Sequence, residues 1–110
     1  MKSHTFLNDF IKECAQEKPT TDDAKFVGWE ELIFTLVGFG LKIILPELKE
    51  WVKMGATLIT MKRLEIKKKL IKYAMERELD FPAAEQAAEV IANKIDEENI
   101  TKIIRALESS

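Results

Sequence analysis

Carboxylates come closest, of all the residues in this chain, to a pattern for acid–base or metal chemistry. Glu85 and Glu89 are four residues apart, which places them on one face of a helix, where carboxylates can ligate a metal ion. A helical carboxylate site also needs a Glu-x-x-His pair or a second inward-facing carboxylate helix, and the sequence offers neither. Glu30 and Glu31 are adjacent and diverge by about 100°, which prevents a shared acid–base site. These spacings predict solvated faces.

The other reactive residue types are single. His4 is the only histidine and lies close to the first residue, so we expect no role as base or ligand. Cys14 lies on the apolar side of a predicted helix with no cation beside it, which predicts a buried structural thiol. The run Gly38-Phe39-Gly40 lacks the preceding strand of a phosphate-binding loop. We therefore predict a protein without enzymatic activity, cofactor or metal site.

A basic run in the middle of the chain is its strongest concentration of charge. Such a run can contact the phosphates of nucleic acid or of an anionic membrane surface. Projected on a helix, its members occupy two separate gaps between apolar lines, without interleaved aromatic rings for base stacking. We interpret them as solvated flanks, keep a membrane surface as an alternative and place nucleic acid last. The candidate anion contacts are Lys62, Arg63, Lys67, Lys68, Lys69 and Lys72.

Composition predicts one globular domain. The chain has 110 residues, of which 46% are hydrophobic and 33% charged, and its net charge of −2 argues against a surface built for polyanions. Residues 47–79 contain nine basic and five acidic residues, whereas residues 80–110 contain three and seven. This asymmetry favours packing of the last third against the middle. One cysteine and no signal-peptide pattern predict a cytoplasmic protein, with a membrane-peripheral location as the alternative.

The segment 26–46 is too apolar for a solvated surface and too short for a membrane span. Its charge-free run, 32–41, would cover about 15 Å of a roughly 30 Å hydrocarbon layer. A β-hairpin around the glycines is the alternative to a helix, because glycine weakens helices and β-branched residues favour strands. The helix is favoured because the apolar residues follow a three-four repeat: Trp29, Leu32, Ile33, Leu36, Val37, Gly40, Leu41 and Ile44.

We expect this helix, Val27 to Leu45, to be the buried centre of the fold. The polar residues on it form one narrow line, which comprises Glu31, Thr35, Gly38 and Lys42. Phe34, Phe39 and Ile43 extend the apolar surface around the rest, so the helix should be covered on most sides. Whether its own chain, another subunit or lipid covers it stays open.

The next segment predicts one long helix from Glu47 to Glu78, with Pro46 as a kink or as its first turn. Its apolar stripe continues across Gly55, and about 32 residues would span about 48 Å, longer than a compact domain of this size. Two opposed apolar lines follow in its second half: Ile66, Leu70 and Tyr73 on one side, and Leu64, Ile71 and Met75 on the other. Two lines need two partners, which favours a homo-oligomer over two intramolecular partners.

Two shorter helices are predicted after residue 79. Asp80 and Asp96 are suited to cap them, and Pro82 fits the first turn of the former. The chain is thus predicted to be all-α, with about five helices in a small bundle that has a buried central helix and one long helix. Its single domain, 1–110, divides into the N-terminal helices (1–46), a long basic helix (47–79) and an acidic helical pair (80–110).

Two short runs resemble known families. Leu79-Asp80-Phe81-Pro82 before an alanine-rich helix resembles the first connector of ubiquitin-associated three-helix modules, but Asp80 replaces the glycine on which their binding loop depends, so their ligand is not carried over. The stretch 45–52, with Pro46 followed by Glu47 and Trp51-Val52, resembles small phage holin-like proteins, which implies membrane association. The apolar helix here is short and carries Lys42. We assign the chain to neither family.

The predicted function is that of a non-enzymatic helical interaction or assembly protein that binds itself or another protein through apolar helix faces. Large aromatic side chains dominate interface energetics. One alternative is a peripheral membrane or holin-like phage protein that uses the 26–46 helix and the 62–72 basic run. Another is a nucleic-acid-binding protein that uses the basic run. The candidate interface residues are Trp29, Phe34, Phe39, Trp51, Ile66, Leu70, Tyr73 and Met75.

Overall fold

The described residues of the computed structural model, 2–17 and 28–109, form helices joined by short turns and contain no strand. This confirms the predicted all-α fold. Helices α2 and α3 are joined without a break by a π-helical segment, Leu36–Gly40, and α4 is a single turn. The helices are α1 (Lys2–Gln16), α2 (Trp29–Thr35), α3 (Leu41–Met54), α4 (Leu58–Met61), α5 (Arg63–Glu76), α6 (Phe81–Lys94) and α7 (Ile100–Ser109).

The central helix, as we call the continuous run Trp29–Met54, replaces both the hairpin alternative and the predicted end at Leu45. In its π-helical segment the Leu41 N–H donates to the Leu36 carbonyl, five residues earlier. Pro46 lies inside α3 and does not end it, although its ring cannot supply an N–H to the preceding turn. The predicted apolar repeat is confirmed as the face that packs into the core.

The predicted long helix, Glu47 to Glu78, is wrong. The chain leaves α3 at Gly55, whose φ of 143° is a conformation that residues with a side chain rarely adopt. A second irregularity at Lys62 separates α4 from α5, so α5 has only 14 residues. The apolar repeat continued across Gly55 because α3 and α5 each turn an apolar stripe to the same core. The fold measures 40 × 29 × 23 Å, and no protruding helix is needed.

The last three helices have the predicted order and caps. Asp80 accepts a hydrogen bond from the Ala83 N–H at 3.1 Å, which satisfies an end group of α6. Before α7, Asp96 accepts from the Glu98 and Asn99 N–H groups, each at 2.9 Å. α5 and α6 form an antiparallel hairpin, because contacts from successive positions of α5 reach α6 in reverse order.

The hydrophobic core lies where α1, the central helix, α5, α6 and α7 meet. Gly40 lies at a close approach of α5 to the central helix, since a Cβ at this position would lie 2.9 Å from Leu70 Cδ2 and 3.6 Å from Tyr73 Cδ2. Trp29 ties the central helix to α1 through a buried hydrogen bond from Nε1 to the Ala15 carbonyl, 3.0 Å long. One face of the central helix is therefore held rigidly.

Candidate functional site

Half of the predicted interface residues are part of the core. Four of the eight are buried and cannot contact a partner in this fold: Trp29, Ile66, Leu70 and Tyr73. This corrects their assignment as contacts, and the reason is that the apolar repeats that selected them are the repeats that close the monomer. Trp51 is partly buried, with Lys62 Nζ 5.5 Å from its ring centroid. Phe34, Phe39 and Met75 are exposed.

An exposed apolar stripe lies on the central helix, opposite its core face. We define it as Phe34, Phe39 and Ile43, which are 49%, 54% and 60% exposed. The rings of Phe34 and Phe39 meet edge to face, with centroids 6.2 Å apart and an interplanar angle of 80°. Ile43 follows Phe39 by one turn. The chain itself therefore leaves this face of the central helix uncovered, and cover by a second subunit or lipid stays a prediction.

The π-helical segment aligns the stripe. In an uninterrupted α-helix, residues five apart diverge by about 140°. Hydrogen bonds from residue i to i+5 take one more residue into the turn, so residues five apart are offset by about the 40° that separates residues four apart in an α-helix. Phe34 and Phe39 are five apart and lie on either side of Leu36 and Val37, which stay buried. The slipped hydrogen bond therefore turns Phe39 and Ile43 to solvent beside Phe34.

The charges around the stripe differ between its two ends. At the N-terminal end, Glu30 and Glu31 lie in the first turn of α2. At the C-terminal end a shallow groove of about 470 Å³ begins beyond Ile43, and three lysines and one glutamate lie around its apolar floor. One end of the face is thus acidic and the other basic. The residues that line this basic groove are Lys42, Leu45, Pro46, Lys49, Glu50 and Lys53.

The basic run of α5 does not form a surface of its own. Arg63 donates from Nε and Nη2 to the Ile95 carbonyl, at 3.1 and 2.9 Å, and so closes the C-terminal end of α6. Lys67 pairs with Glu89 at 2.9 Å and Lys62 with Glu65 at 3.5 Å. Lys69 pairs with Glu47 at 2.6 Å, and this hydrogen bond raises the pKa of Lys69.

Only two of the six residues of the basic run, all of which the structure describes, are exposed: Lys68 and Lys72. The interpretation of the run as solvated flanks describes these two residues, whereas the other four are engaged in the contacts given above. The second predicted apolar line of α5 is partly uncovered, because Leu64 and Met75 are exposed while Ile71 packs against the core. Leu64 borders a small groove between α5 and α6.

The residues considered for catalysis are not brought together. Glu85 and Glu89 are exposed on α6, and Glu89 is paired with Lys67. Within the described part of the chain no three metal-ligating side chains form a group. The His4 side chain lies outside the described residues. Cys14 is fully buried, as predicted, and this burial raises the pKa of its thiol to about 12, which keeps the nucleophilic thiolate from forming.

The residues of the stripe were predicted from the sequence as apolar surface of the helix, but their orientation towards solvent was not. The signal that could have found it is the five-residue spacing of the two phenylalanines next to a pair of glycines, which weaken regular α-helical bonding. In the described ranges no helix has the length and apolarity needed to cross a membrane. The chain matches no family model, no curated protein and no solved structure in comparisons with each.

Proposed function

We propose that this chain is a non-enzymatic helical interaction protein that binds another protein chain through the apolar stripe. The observation that carries the proposal is the stripe itself: three large apolar side chains, each about half exposed, adjacent on one helix face. Single exposed apolar residues are common on protein surfaces, whereas contiguous sets mark interaction sites. The opposite face of the same helix is locked in the core, so the stripe is presented without an ordering cost.

The spacing of the stripe supports a helix-to-helix mode of recognition. Anchors that recur about every turn along one face are the pattern by which amphipathic helices fit one another or a groove. Aromatic residues are the commonest centres of such interfaces. The edge-to-face contact between Phe34 and Phe39 restricts both rings before a partner arrives.

The charges near the stripe favour a protein over an anionic membrane or a nucleic acid. Helices that lie on membranes carry mainly lysine and arginine on their polar face. Here Glu30, Glu31 and Glu50 accompany the lysines of the central helix, and anionic headgroups or phosphates would repel them. The basic run of α5, which would have to supply phosphate contacts, is largely engaged in pairs within the chain.

Site-specific photo-crosslinking in the native host tests this proposal. A photoreactive residue in place of Ile43 is expected to form adducts of defined mass with protein, because Ile43 lies in the stripe. The matched control is the same residue in place of Lys102, an exposed position on α7, which should give no such adduct. Phe34→Ser should abolish the adduct formed at position 43.

Two outcomes would overturn the proposal. One is the absence of protein adducts at position 43 under conditions in which the crosslinker reacts. The other is flotation of the purified protein with anionic phospholipid vesicles that is lost in Phe39→Ser, which would replace the protein partner by a membrane surface.

A further inference from the structure

We infer that the occupant of the apolar stripe is the same stripe on a second copy of this chain, with the two central helices antiparallel across a twofold axis near Phe39. This inference rests on the proposed function and names its partner. In such an isologous arrangement each contact occurs twice, so a patch must complement itself.

Charge complementarity is the first reason. The exposed face of the central helix is acidic at its start, with Glu30 and Glu31, and has a net charge of +2 at the basic groove, where Lys42, Lys49 and Lys53 outnumber Glu50. Antiparallel copies place the acidic end of each against the basic end of the other. Parallel copies would place like charges together. The face therefore specifies an orientation.

Residue spacing is the second reason. An axis between positions 38 and 39 places Phe34 of one copy opposite Ile43 of the other, and the two Phe39 rings beside the axis. Glu31 then faces Pro46 of the second copy, and Lys42 and Lys49 lie within one turn of that point, about 5 to 6 Å along the helix. A lysine side chain spans that distance. The same register places Glu30 opposite Glu47, whose charge is paired with Lys69 at 2.6 Å within its own chain.

The second exposed apolar line, on α5, does not share this property. Leu64 and Met75 are three turns apart, and of the exposed charges between them Lys68 and Lys72 are basic, while the acidic one, Glu65, already pairs with Lys62 at 3.5 Å. Two copies of that face would repel each other. The stripe on the central helix is thus the face that fits itself.

The area of the stripe determines the expected affinity of the dimer. Half-exposed large side chains present on the order of 100 Å² each, so two copies would bury about 600 Å² of apolar surface in addition to their charged flanks. This lies below the roughly 1,200 Å² at which specific stable interfaces begin, so the apolar contact supports only a weak and transient pairing. We expect a reversible dimer with a dissociation constant in the micromolar range.

Sedimentation equilibrium of the full chain tests the inference, from low to high micromolar concentration. Wild type should pass from monomer to dimer, and Phe39→Ser should remain a monomer. Glu31→Lys and Lys49→Glu should each weaken the dimer by about tenfold, because each removes two symmetric pairs and adds repulsion. Their combination in one chain should restore the dimer to within a few-fold of wild type.

Lys49 also pairs with Glu108 on α7, at 2.6 Å, and this contact needs its own control. Glu108→Gln removes that pair alone and should leave the dimer unchanged. Circular dichroism melting should show that Phe39→Ser keeps its fold, since the side chain is exposed. A variant that stays folded and monomeric supports the inference.

The outcomes separate this inference from the proposed function. A wild-type monomer at every concentration overturns self-pairing, while a crosslink from position 43 to a different protein would still support the proposed function. A dimer that is insensitive to Phe39→Ser and to both charge changes also overturns it, because another face must then join the copies. A monomer without any protein adduct at position 43 overturns both.

Discussion

The C-terminal pair, α6 and α7, and the central helix place their apolar residues in different ways. α6 turns alanines to the core, which lets neighbouring helices approach closely, and between residues 81 and 109 Phe81 is the one large apolar side chain left exposed. The central helix buries one face and exposes the stripe on the other. In α6 and α7 nearly all large apolar side chains are buried in the core. The central helix, in contrast, has large apolar side chains that the fold leaves exposed. An excess of this kind is a feature of binding surfaces.

The largest effect should separate two neighbours on the central helix. Ile44 is 2% exposed and Ile43 60%. We expect Ile44→Ala to lower the free energy of unfolding by about 2 to 5 kcal/mol through a core cavity. Ile43→Ala should change it by no more than about 0.5 kcal/mol in dilute solution. Denaturant melts at low protein concentration measure both, and equal losses would show that the exposed face contributes to the monomer core.

A second comparison uses two glycines of the π-helical segment. A Cβ at Gly38 meets nothing within 4 Å, whereas at Gly40 it meets the buried Leu70 side chain. Gly38→Ala should raise the free energy of unfolding by about 0.5 to 1 kcal/mol, because alanine favours helix. Gly40→Ala should leave the protein about 1 to 3 kcal/mol less stable than Gly38→Ala, because of overpacking. Thermal melts of both variants measure whether each change raises or lowers the free energy of unfolding. If the two variants are equally stable, α5 must lie farther from the central helix than the Gly40 contact indicates.

The smallest effect belongs to the C-terminal pair. Asp80→Ala removes the side-chain acceptor for the Ala83 N–H and should cost about 1 kcal/mol, whereas Asp80→Asn keeps an acceptor and most of the stability. Glu85→Ala removes the same charge from an exposed position of α6 and serves as the control. If Glu85→Ala costs as much as Asp80→Ala, charge and not the cap stabilises this end of α6.

The core and the caps could be predicted from the sequence because they depend on local patterns. The three-four repeat from Trp29 to Ile44 identifies the face that packs inward, and the position of Asp80 one residue before α6 identifies its start. Burial of Cys14 followed from its place on an apolar stripe. Each of these properties is set within a few turns of helix.

The other features of the fold depend on tertiary contacts or on backbone hydrogen bonds, which the apolar periodicity of the sequence does not indicate. The apolar repeat runs across Gly55, but the backbone there has a φ of 143°, which glycine permits without changing the repeat. The engagement of Arg63 by the Ile95 carbonyl joins residues 32 positions apart and follows from the α5–α6 hairpin. The orientation of Phe39 depends on π-helical backbone hydrogen bonding, which spans five residues and not four.

The π-helical segment makes backbone hydrogen bonding, as well as residue type, a determinant of this surface. Removal of one residue between Leu36 and Gly40 would let regular α-helical bonding resume with Phe34 and Phe39 four residues apart, which keeps them within about 40° of each other. A change that restores α-helical bonding at the present chain length would instead separate them by about 140°, and the apolar residues would no longer share a face. A binding partner should therefore tolerate loss of one residue from this segment better than loss of the five-residue hydrogen bonding.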